Sequence, residues 1–244
     1  MIPKSHPRYE SLKTRDLIVD GIKKGMTSIH GLIAHGRGEA FDYLIGENTT
    51  DVAKKSIDSA AGLLLMAKCP VISVNGNAAA LVPKQLVKLS KLINAPLEVN
   101  IFNQSKEREI KIKSHLKKYG AKNILLPDKR CKIKFLDSNR KYVNPNGILK
   151  ADVVLVSLED GDRAEALIKN GKKVIAIDLN PLSRTSQKAT ITIVDNITRA
   201  MPLLIIQIEK FKKLKLSKKQ LEVIYKRHNR KKRLKLAIKF MKRL

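Results

Sequence analysis

The chain has 244 residues and a formal net charge of +28, with 50 Lys and Arg residues against 22 Asp and Glu. It is long enough to bury a substantial core as one large α/β domain or as a domain with an appendage. Its two Cys residues, Cys69 and Cys131, lie far apart with no CxxC or paired-histidine spacing, which argues against a zinc site or a disulfide framework and favours a reducing compartment.

The first third of the chain is predicted to be helical. Ser5 is suited to cap a helix that has Pro7 in its first turn and Gly25 as its stop. Thr49 or Thr50 is suited to cap another helix that ends at Lys68. The first sixteen residues (MIPKSHPRYESLKTRD) contain no apolar signal segment, and no apolar run is long enough to cross a bilayer. We therefore expect a soluble, cytoplasmic protein without membrane contact.

Between these helices lies the stretch HGRGEAFDYLIGE, residues 35–47. Glycines on both sides of Arg37 predict a loop that adopts φ > 0 and approaches a ligand closely, while the guanidinium suits phosphate or carboxylate. His35 is the best catalytic candidate among the five histidines. Glu39 and Asp42 are suited to an amine or to Mg²⁺ with a nucleotide, or simply to surface ion pairs. The alternative is a helix-connecting loop with a surface arginine.

From Pro70 onward the pattern alternates between strands and helices. Strands rich in Val and Ile alternating with helices predict a parallel sheet covered on both faces, and the polar stretch 128–150 is predicted to be an excursion or hairpin on it. The strands are predicted over residues 70–74, 97–102, 123–126, 152–156, 173–177 and 190–194. The helices are predicted over residues 78–94 with an interruption near Pro83, 106–119 and 160–169, with a last core helix that has Pro202 near its first turn.

Loops after the strands of such a sheet are candidate ligand sites. Asn75-Gly76-Asn77 follows the first strand, where backbone N–H groups can face a phosphate. Asp178 ends the fifth strand and is suited to ribose hydroxyls, with phosphate donors in the Ser-Arg-Thr cluster downstream. Asn196 and Ile197 follow the next strand. Ordinary turns remain the alternative for each of these loops, and both the dinucleotide glycine fingerprint and the P-loop are missing.

The positive charge is concentrated at the C-terminus. Residues 210–244 hold 16 Lys or Arg residues against the single acid Glu222, and so carry +15 of the +28. Apolar residues recur there at roughly helical intervals, which predicts a basic amphipathic helix separable from a domain over 1–209, itself divided into a helical part (1–68) and a sheet core (69–209). The competing function is a nucleic-acid- or ribosome-binding protein that uses this tail, with binding independent of sequence.

Several separated motifs resemble archaeal phosphopantothenate synthetases, the 4-phosphopantoate:β-alanine ligases. They are residues 3–12 (PKSHPRYESL), 14–16 (TRD), 27–47 (TSIHGLIAHGRGEAFDYLIGE), 74–77 (VNGN) and 178–185 (DLNPLSRT). The resemblance extends from about residue 2 to about residue 210 and leaves the tail outside.

The resemblance implies a cytoplasmic homodimer with a Rossmann-like core that makes 4-phosphopantothenate for coenzyme A synthesis through an acyl-adenylate, with AMP and pyrophosphate as products. ATP would be a substrate, accompanied by Mg²⁺, and no protein metal site is expected. Arg37 and His35 are the catalytic candidates, and Asn75, Gly76 and Asn77 are assigned to 4-phosphopantoate. By position, the implied nucleotide contacts are Arg15, Arg37, Asp178, Leu179, Asn180, Arg184, Thr185, Asn196 and Ile197.

Overall fold

The computed structural model describes residues 3–103, 105–158 and 161–242. Its strands are β1 (Pro70–Val74), β2 (Leu97–Val99), β3 (Ile124–Leu125), β4 (Asp128–Lys132), β5 (Tyr142–Val143), β6 (Val153–Ser157), β7 (Lys173–Ile177) and β8 (Ile191–Ile193). Six of them form one sheet in the order β3-β2-β1-β6-β7-β8, with every neighbouring pair parallel. The predicted α/β class is confirmed, and the strand order reverses between β1 and β6 as in a doubly wound, Rossmann-like fold.

Helices cover both faces of this sheet. They are α1 (Tyr9–Lys23), α2 (Ile29–Leu44), α3 (Asp51–Met66), α4 (Gly76–Leu81), α5 (Pro83–Leu92), α6 (Lys106–Lys118), α7 (Gly161–Lys169), α8 (Arg184–Lys188), α9 (Ile197–Lys213), α10 (Lys218–Lys226) and α11 (Arg230–Met241). The antiparallel pair β4 and β5 confirms the predicted hairpin in residues 128–150. The short helix α8 was not predicted, because only one turn separates its cap, Ser183, from the next strand.

The alternation of side chains along each central strand explains the two-sided core. In β1, Ile72 and Val74 point into the large apolar cluster that also contains α3, α5 and α9 side chains. Val71, which precedes Ile72, points to the opposite face, into a second cluster with Val154 and Val156 of β6. All residues of β1 and β6 are buried, as expected for strands that lie inside a parallel sheet with helices on both faces.

The start of α1 differs from the prediction. The helix begins at Tyr9 with Arg8 at the N-cap position, and Ser5 does not cap it. Residues before it form hydrogen-bonded turns instead, with His6 N donating to Pro3 O at 3.0 Å and Tyr9 N donating to His6 O at 2.9 Å. Gly25 does follow the helix end, in the left-handed conformation with φ 66°.

The predicted Gly36-Arg37-Gly38 loop is wrong, because these residues lie inside the continuous helix α2. Ser28 caps this helix through a hydrogen bond from Gly31 N at 3.4 Å. Neither Gly36 nor Gly38 has a positive φ, and the glycine that ends the segment in the left-handed conformation is Gly46, with φ 71°. Two interior glycines cost a helix about 1 kcal/mol each, so tertiary contacts of α2 must hold it.

We predict that Gly36→Ala stabilises the protein by about 0.5–1 kcal/mol, because alanine is the better helix former. An added Cβ at Gly36 meets no atom within 4 Å. Gly31→Ala is the contrasting variant and should be destabilising, since its Cβ would overlap the side chains of Thr27 and Asn77. Urea denaturation of both variants measures the difference. A loss of stability in Gly36→Ala would contradict a helical Gly36.

The basic C-terminal segment is helical, as predicted, but it is packed onto the rest of the protein. Helix α9 runs through the division expected after residue 209. In α10, Leu221 is 6% exposed and belongs to the main core cluster, and Ser59 Oγ of α3 donates to Ile224 O at 3.4 Å. In α11, Leu234 packs against Val194. Part of the apolar side of the tail is therefore buried by packing on α3 and beside β8.

Candidate active site

A cavity of about 580 Å³ opens at the carboxyl ends of the parallel strands. It lies where the strand order reverses, the position at which open α/β sheets bind ligands. Asn75, which follows β1, links the two halves of the sheet there. Its Nδ2 donates to Ser157 O at 2.8 Å, at the end of β6, and to Leu158 O at 3.2 Å, just after it. Its Oδ1 accepts from Ala78 N at 2.9 Å and caps α4.

Most of the residues predicted for a site line this one cavity. Arg15 is the exception: it does not line the cavity, and its Nε lies 2.9 Å from both carboxylate oxygens of Glu39, which does line it. The predicted residues that line it are His35, Arg37, Asn75, Gly76, Asn77, Asp178, Leu179, Asn180, Arg184, Thr185, Asn196 and Ile197.

Helix α2 runs along the cavity, from the β1 half of the sheet to the β7 half. Near its start, Gly31 O accepts a hydrogen bond from Asn77 Nδ2 at 2.8 Å. Further along, a Cβ on Gly38 would lie 3.5 Å from Leu179 Cδ1, in the loop after β7. Gly76 permits the close packing at the first end, because a Cβ there would overlap Met26 O. Asn77 and Gly76 thus have a packing role, and their contact with substrate stays a prediction.

A network of charged residues holds the other end of α2. Buried Asp42 accepts hydrogen bonds from Asn196 Nδ2 at 2.8 Å and from Arg199. Arg199 also donates from Nε to Asp195 Oδ1 at 3.0 Å, and Asn196 Oδ1 caps α9 by accepting from Thr198 N at 3.1 Å. Asp42 is therefore engaged within the protein. Arg199 was not predicted from the sequence, although its spacing of four residues from Asp195 was a signal for this ion pair.

Asp178 shapes the loop that follows β7. Its Oδ1 accepts from Asn180 N at 2.9 Å, and its Oδ2 accepts from the Ser183 hydroxyl. Burial raises the pKa of Asp178, while these hydrogen bonds and the positive charge of Arg37 act in the opposite direction. The carboxyl group is thus placed within the electrostatic field of Arg37 at the edge of the cavity.

The two predicted arginines that line the cavity, Arg37 and Arg184, differ in what they contact. Arg184 forms ion pairs with Glu165, at 2.8 Å, and with Asp162. Arg37 is exposed and makes no hydrogen bond or ion pair with any residue that the structure describes. Its planar fork of donors is available for an anionic ligand. Two further arginines, Arg108 and Arg140, also line the cavity and were not found from the sequence.

His35 is buried in the wall of the cavity, with 7% of its surface exposed. Its Nε2 makes no hydrogen bond within the described part of the chain and lies 3.9 Å from Glu39 Oε1. Burial lowers the pKa of His35 despite the nearby Glu39 carboxylate, so the imidazole is neutral at pH 7. For Glu39, burial raises the pKa, but hydrogen bonds from Arg15 and Ser11 outweigh it and the pKa is lowered. Glu39 is therefore ionised.

Three other expectations concern the cysteines, membrane spans and metal sites. Cys69 and Cys131 are both free thiols. None of the helices in the described residues is long and apolar enough to cross a membrane. No group of three or more His, Cys, Asp and Glu side chains suited to a metal ion occurs within the ranges the structure describes.

The fold and the site define a doubly wound α/β protein with an arginine-rich cavity at its topological switch point, an arrangement suited to nucleotides and other anions. The chain belongs to the phosphopantothenate/pantothenate synthetase family, whose family model matches residues 52–244. The resemblance stated from the sequence is thereby confirmed, and the protein is a ligase. The family model extends to residue 244, beyond the end of the resemblance expected near residue 210.

Individual relatives agree with the family. A 4-phosphopantoate--beta-alanine ligase of Thermococcus kodakarensis is 56% identical over 207 residues, covering 84% of this chain and 78% of the relative. The enzyme of the same name from Methanosarcina mazei is 53% identical over 200 residues, covering 82% and 79% respectively. The one from Methanospirillum hungatei is 53% identical over 201 residues, covering 82% of each chain. The alternative of a nucleic-acid- or ribosome-binding protein gains no support from these relatives.

Proposed function

We propose that this protein joins 4-phosphopantoate to β-alanine at the expense of ATP and releases AMP and pyrophosphate. Family membership implies the use of ATP. The observation that carries the proposal is the arginine-lined cavity at the switch point, on which the separated motifs converge. Its volume of about 580 Å³ falls within the range of small-molecule sites.

ATP is assigned to the half of the cavity formed by the loops after β7 and β8. Asp178 is assigned to the ribose hydroxyls, and Arg37 to the phosphates. Arg15 does not line the cavity and is paired with Glu39, so we assign it a positioning role through Glu39 instead of direct contact with the nucleotide. The remaining assigned contacts are Leu179, Asn180, Arg184, Thr185, Asn196 and Ile197.

The reaction is assigned two steps. A carboxylate oxygen of 4-phosphopantoate attacks the α-phosphorus of ATP, the bond to the bridging oxygen of pyrophosphate breaks, and an acyl-adenylate forms. The β-alanine amine then attacks the acyl carbon, the carbon–oxygen bond to AMP breaks, and an amine proton is lost. Arg37 stabilises the negative charge that develops on the phosphates. Neutral His35, whose buried Nε2 has no partner in the described residues, is suited to accept the amine proton.

Mg²⁺ is proposed to enter with the phosphates of the nucleotide, where it neutralises their charge. Of the carboxylates among the described residues that line the cavity, Glu39 is paired with Arg15, and Asp178 is hydrogen-bonded to Asn180 and Ser183. Both carboxylates are therefore engaged by the protein, and we assign the ion's ligands mainly to phosphate oxygens and water.

We also propose that the protein is a homodimer in the cytoplasm. Ile29 and Ile33 stand one turn apart on the outer side of α2, each 66% exposed, and a contact between two copies would bury such side chains. The two free thiols fit a reducing compartment. Light scattering on the purified protein checks the dimer.

The products of the reaction test the proposed function. Purified protein incubated with ATP, 4-phosphopantoate and β-alanine should release AMP and pyrophosphate in equal amounts with 4-phosphopantothenate. Without β-alanine, the enzyme should still exchange labelled pyrophosphate into ATP, since adenylation precedes the amine. Formation of ADP and phosphate instead would show an acyl-phosphate ligase and contradict the adenylate mechanism.

A further inference from the structure

Two arginines line the half of the cavity that the nucleotide loops do not reach. Arg108 lies in the first turn of α6, the helix that follows β2, and Arg140 lies in the hairpin region between β4 and β5. Neither belongs to the motifs that carry the family resemblance. Both lie on the β1 and β2 side of the strand-order reversal, whereas the loops after β7 and β8 lie on the other side.

Arg108 is held at the starting end of α2. Its Nη1 donates to Asn103 O at 3.1 Å, and its Nη2 donates to Met26 O at 3.3 Å, just before α2 begins. Its Nε is buried and makes no hydrogen bond within the described residues. These contacts use two of the five N–H donors of a guanidinium. Arg108 is thus fixed in position by backbone oxygens that do not neutralise its charge, with donors left for an anion.

Arg140 is a second guanidinium that lines this cavity. The side chain is 3% exposed, with Nε donating to Asn100 Oδ1 at 2.9 Å and Nη2 donating to Asn100 O at 3.1 Å. Glu98 of β2 holds the turn that follows β5, because its carboxylate accepts hydrogen bonds from Asn144 N at 3.0 Å and from Ile148 N at 2.6 Å. The hairpin region is therefore anchored to β2 and the residues after it, and Arg140 is held at the cavity wall.

The shape of the substrate determines which of its groups meets this pair. 4-Phosphopantoate carries its reactive carboxylate at one end and its phosphate at the other, with a dimethyl carbon between them. The carboxylate must meet the α-phosphate of ATP, which is assigned to the Arg37 end of the cavity. The phosphate therefore points toward the opposite end, and apolar Leu81 and Ile101 line the cavity on that side, suited to the dimethyl carbon.

We propose that Arg108, in the cavity that Arg140 also lines, binds the phosphate of 4-phosphopantoate and so selects the phosphorylated acid over unphosphorylated pantoate. This inference rests on the proposed function. A guanidinium fork matches phosphate oxygens, and a site built for a charged group discriminates strongly against an analogue that lacks it. The carboxylate of β-alanine is the competing ligand for the same arginines, and the kinetics below separate the two.

The test compares Arg108→Gln with the matched control Arg130→Gln. Arg130 is on the neighbouring strand β4, with its side chain 89% exposed and paired only with Asp128 among the described residues. Arg108→Gln should raise the KM for 4-phosphopantoate at least about tenfold, and leave the KM for ATP and for β-alanine within about twofold. It should leave kcat/KM for unphosphorylated pantoate unchanged, so that the preference for the phosphorylated acid is lost. Arg130→Gln should match the parent.

Other results have distinct meanings. A selective rise in the KM for β-alanine would assign Arg108 to that substrate and overturn the proposal, as would an unchanged preference for the phosphorylated acid. If Arg108→Gln lowers the melting temperature, Arg108→Lys, which keeps the charge, should restore part of the preference. If the parent protein makes no AMP, the proposed function fails, and calorimetric titration with 4-phosphopantoate and with pantoate still compares binding by the parent and by Arg108→Gln.

Discussion

Arg37→Met should lower kcat/KM for ATP by about a hundredfold or more, equivalent to roughly 2.7 kcal/mol of lost transition-state stabilisation. Arg37 is the guanidinium that lines the nucleotide half of the cavity without any hydrogen bond or ion pair to the described residues. Its removal takes away donors for phosphate and breaks no internal contact. The melting temperature should therefore stay within a degree or two of the parent, which separates a catalytic effect from misfolding.

A second variant at the same position tests the geometry of the group. Arg37→Lys keeps the charge but replaces a planar fork by a point donor, so it should still lose about tenfold in kcat/KM. Arg130→Lys on the exposed hairpin is the matched control and should retain full activity. If Arg37→Lys and Arg37→Met are both as active as the parent, then Arg37 is a surface residue with no part in the reaction.

Much of the sheet was predictable from the sequence because its signals are local. The strands β1 and β7 were predicted with the bounds observed, since each is a short run of β-branched and apolar residues bounded by turn residues. Parallel strands align their carboxyl ends, so the loops holding Asn75, Asp178 and Asn196 were expected to meet, and they do line one cavity. The strand-end rule thus located the cavity without any long-range information.

The conformation of α2 was not predictable in the same way. Local propensity places two glycines in a loop, whereas the helix is held by residues distant in sequence. Asp42 is hydrogen-bonded to Arg199, 157 positions away, and Gly31 O accepts from Asn77, 46 positions away. Arg140 was missed for a similar reason, because its position depends on Asn100, 40 positions before it. Such contacts leave no periodic signal in the chain.

Truncation after Lys215 should destabilise the protein severely, although the charge pattern alone suggests a removable tail. The deletion removes α10, whose Leu221 is 6% exposed within the main core cluster. It also uncovers the α3 surface at Gly62, where a Cβ would lie only 3.1 Å from Leu221 O. Losing one buried leucine contact costs about 2–5 kcal/mol, a large share of the roughly 5–15 kcal/mol that stabilises a domain.

Two variants separate packing from charge in this segment. Protein ending at residue 228 keeps α10 and should remain folded with a modest drop in melting temperature, because α11 contributes the small cluster around Leu234 and the hydrogen bonds that Arg230 donates to Lys188 O and Ala189 O. Replacing Lys218, Lys219 and Lys226 by Gln removes exposed charge from α10 and should leave both ligase activity and melting temperature unchanged, while weakening any salt-sensitive binding of polyanions. If the 1–215 protein instead melts with the parent and keeps its activity, the tail is an appendage, and the packing of α10 on α3 contributes little to the fold.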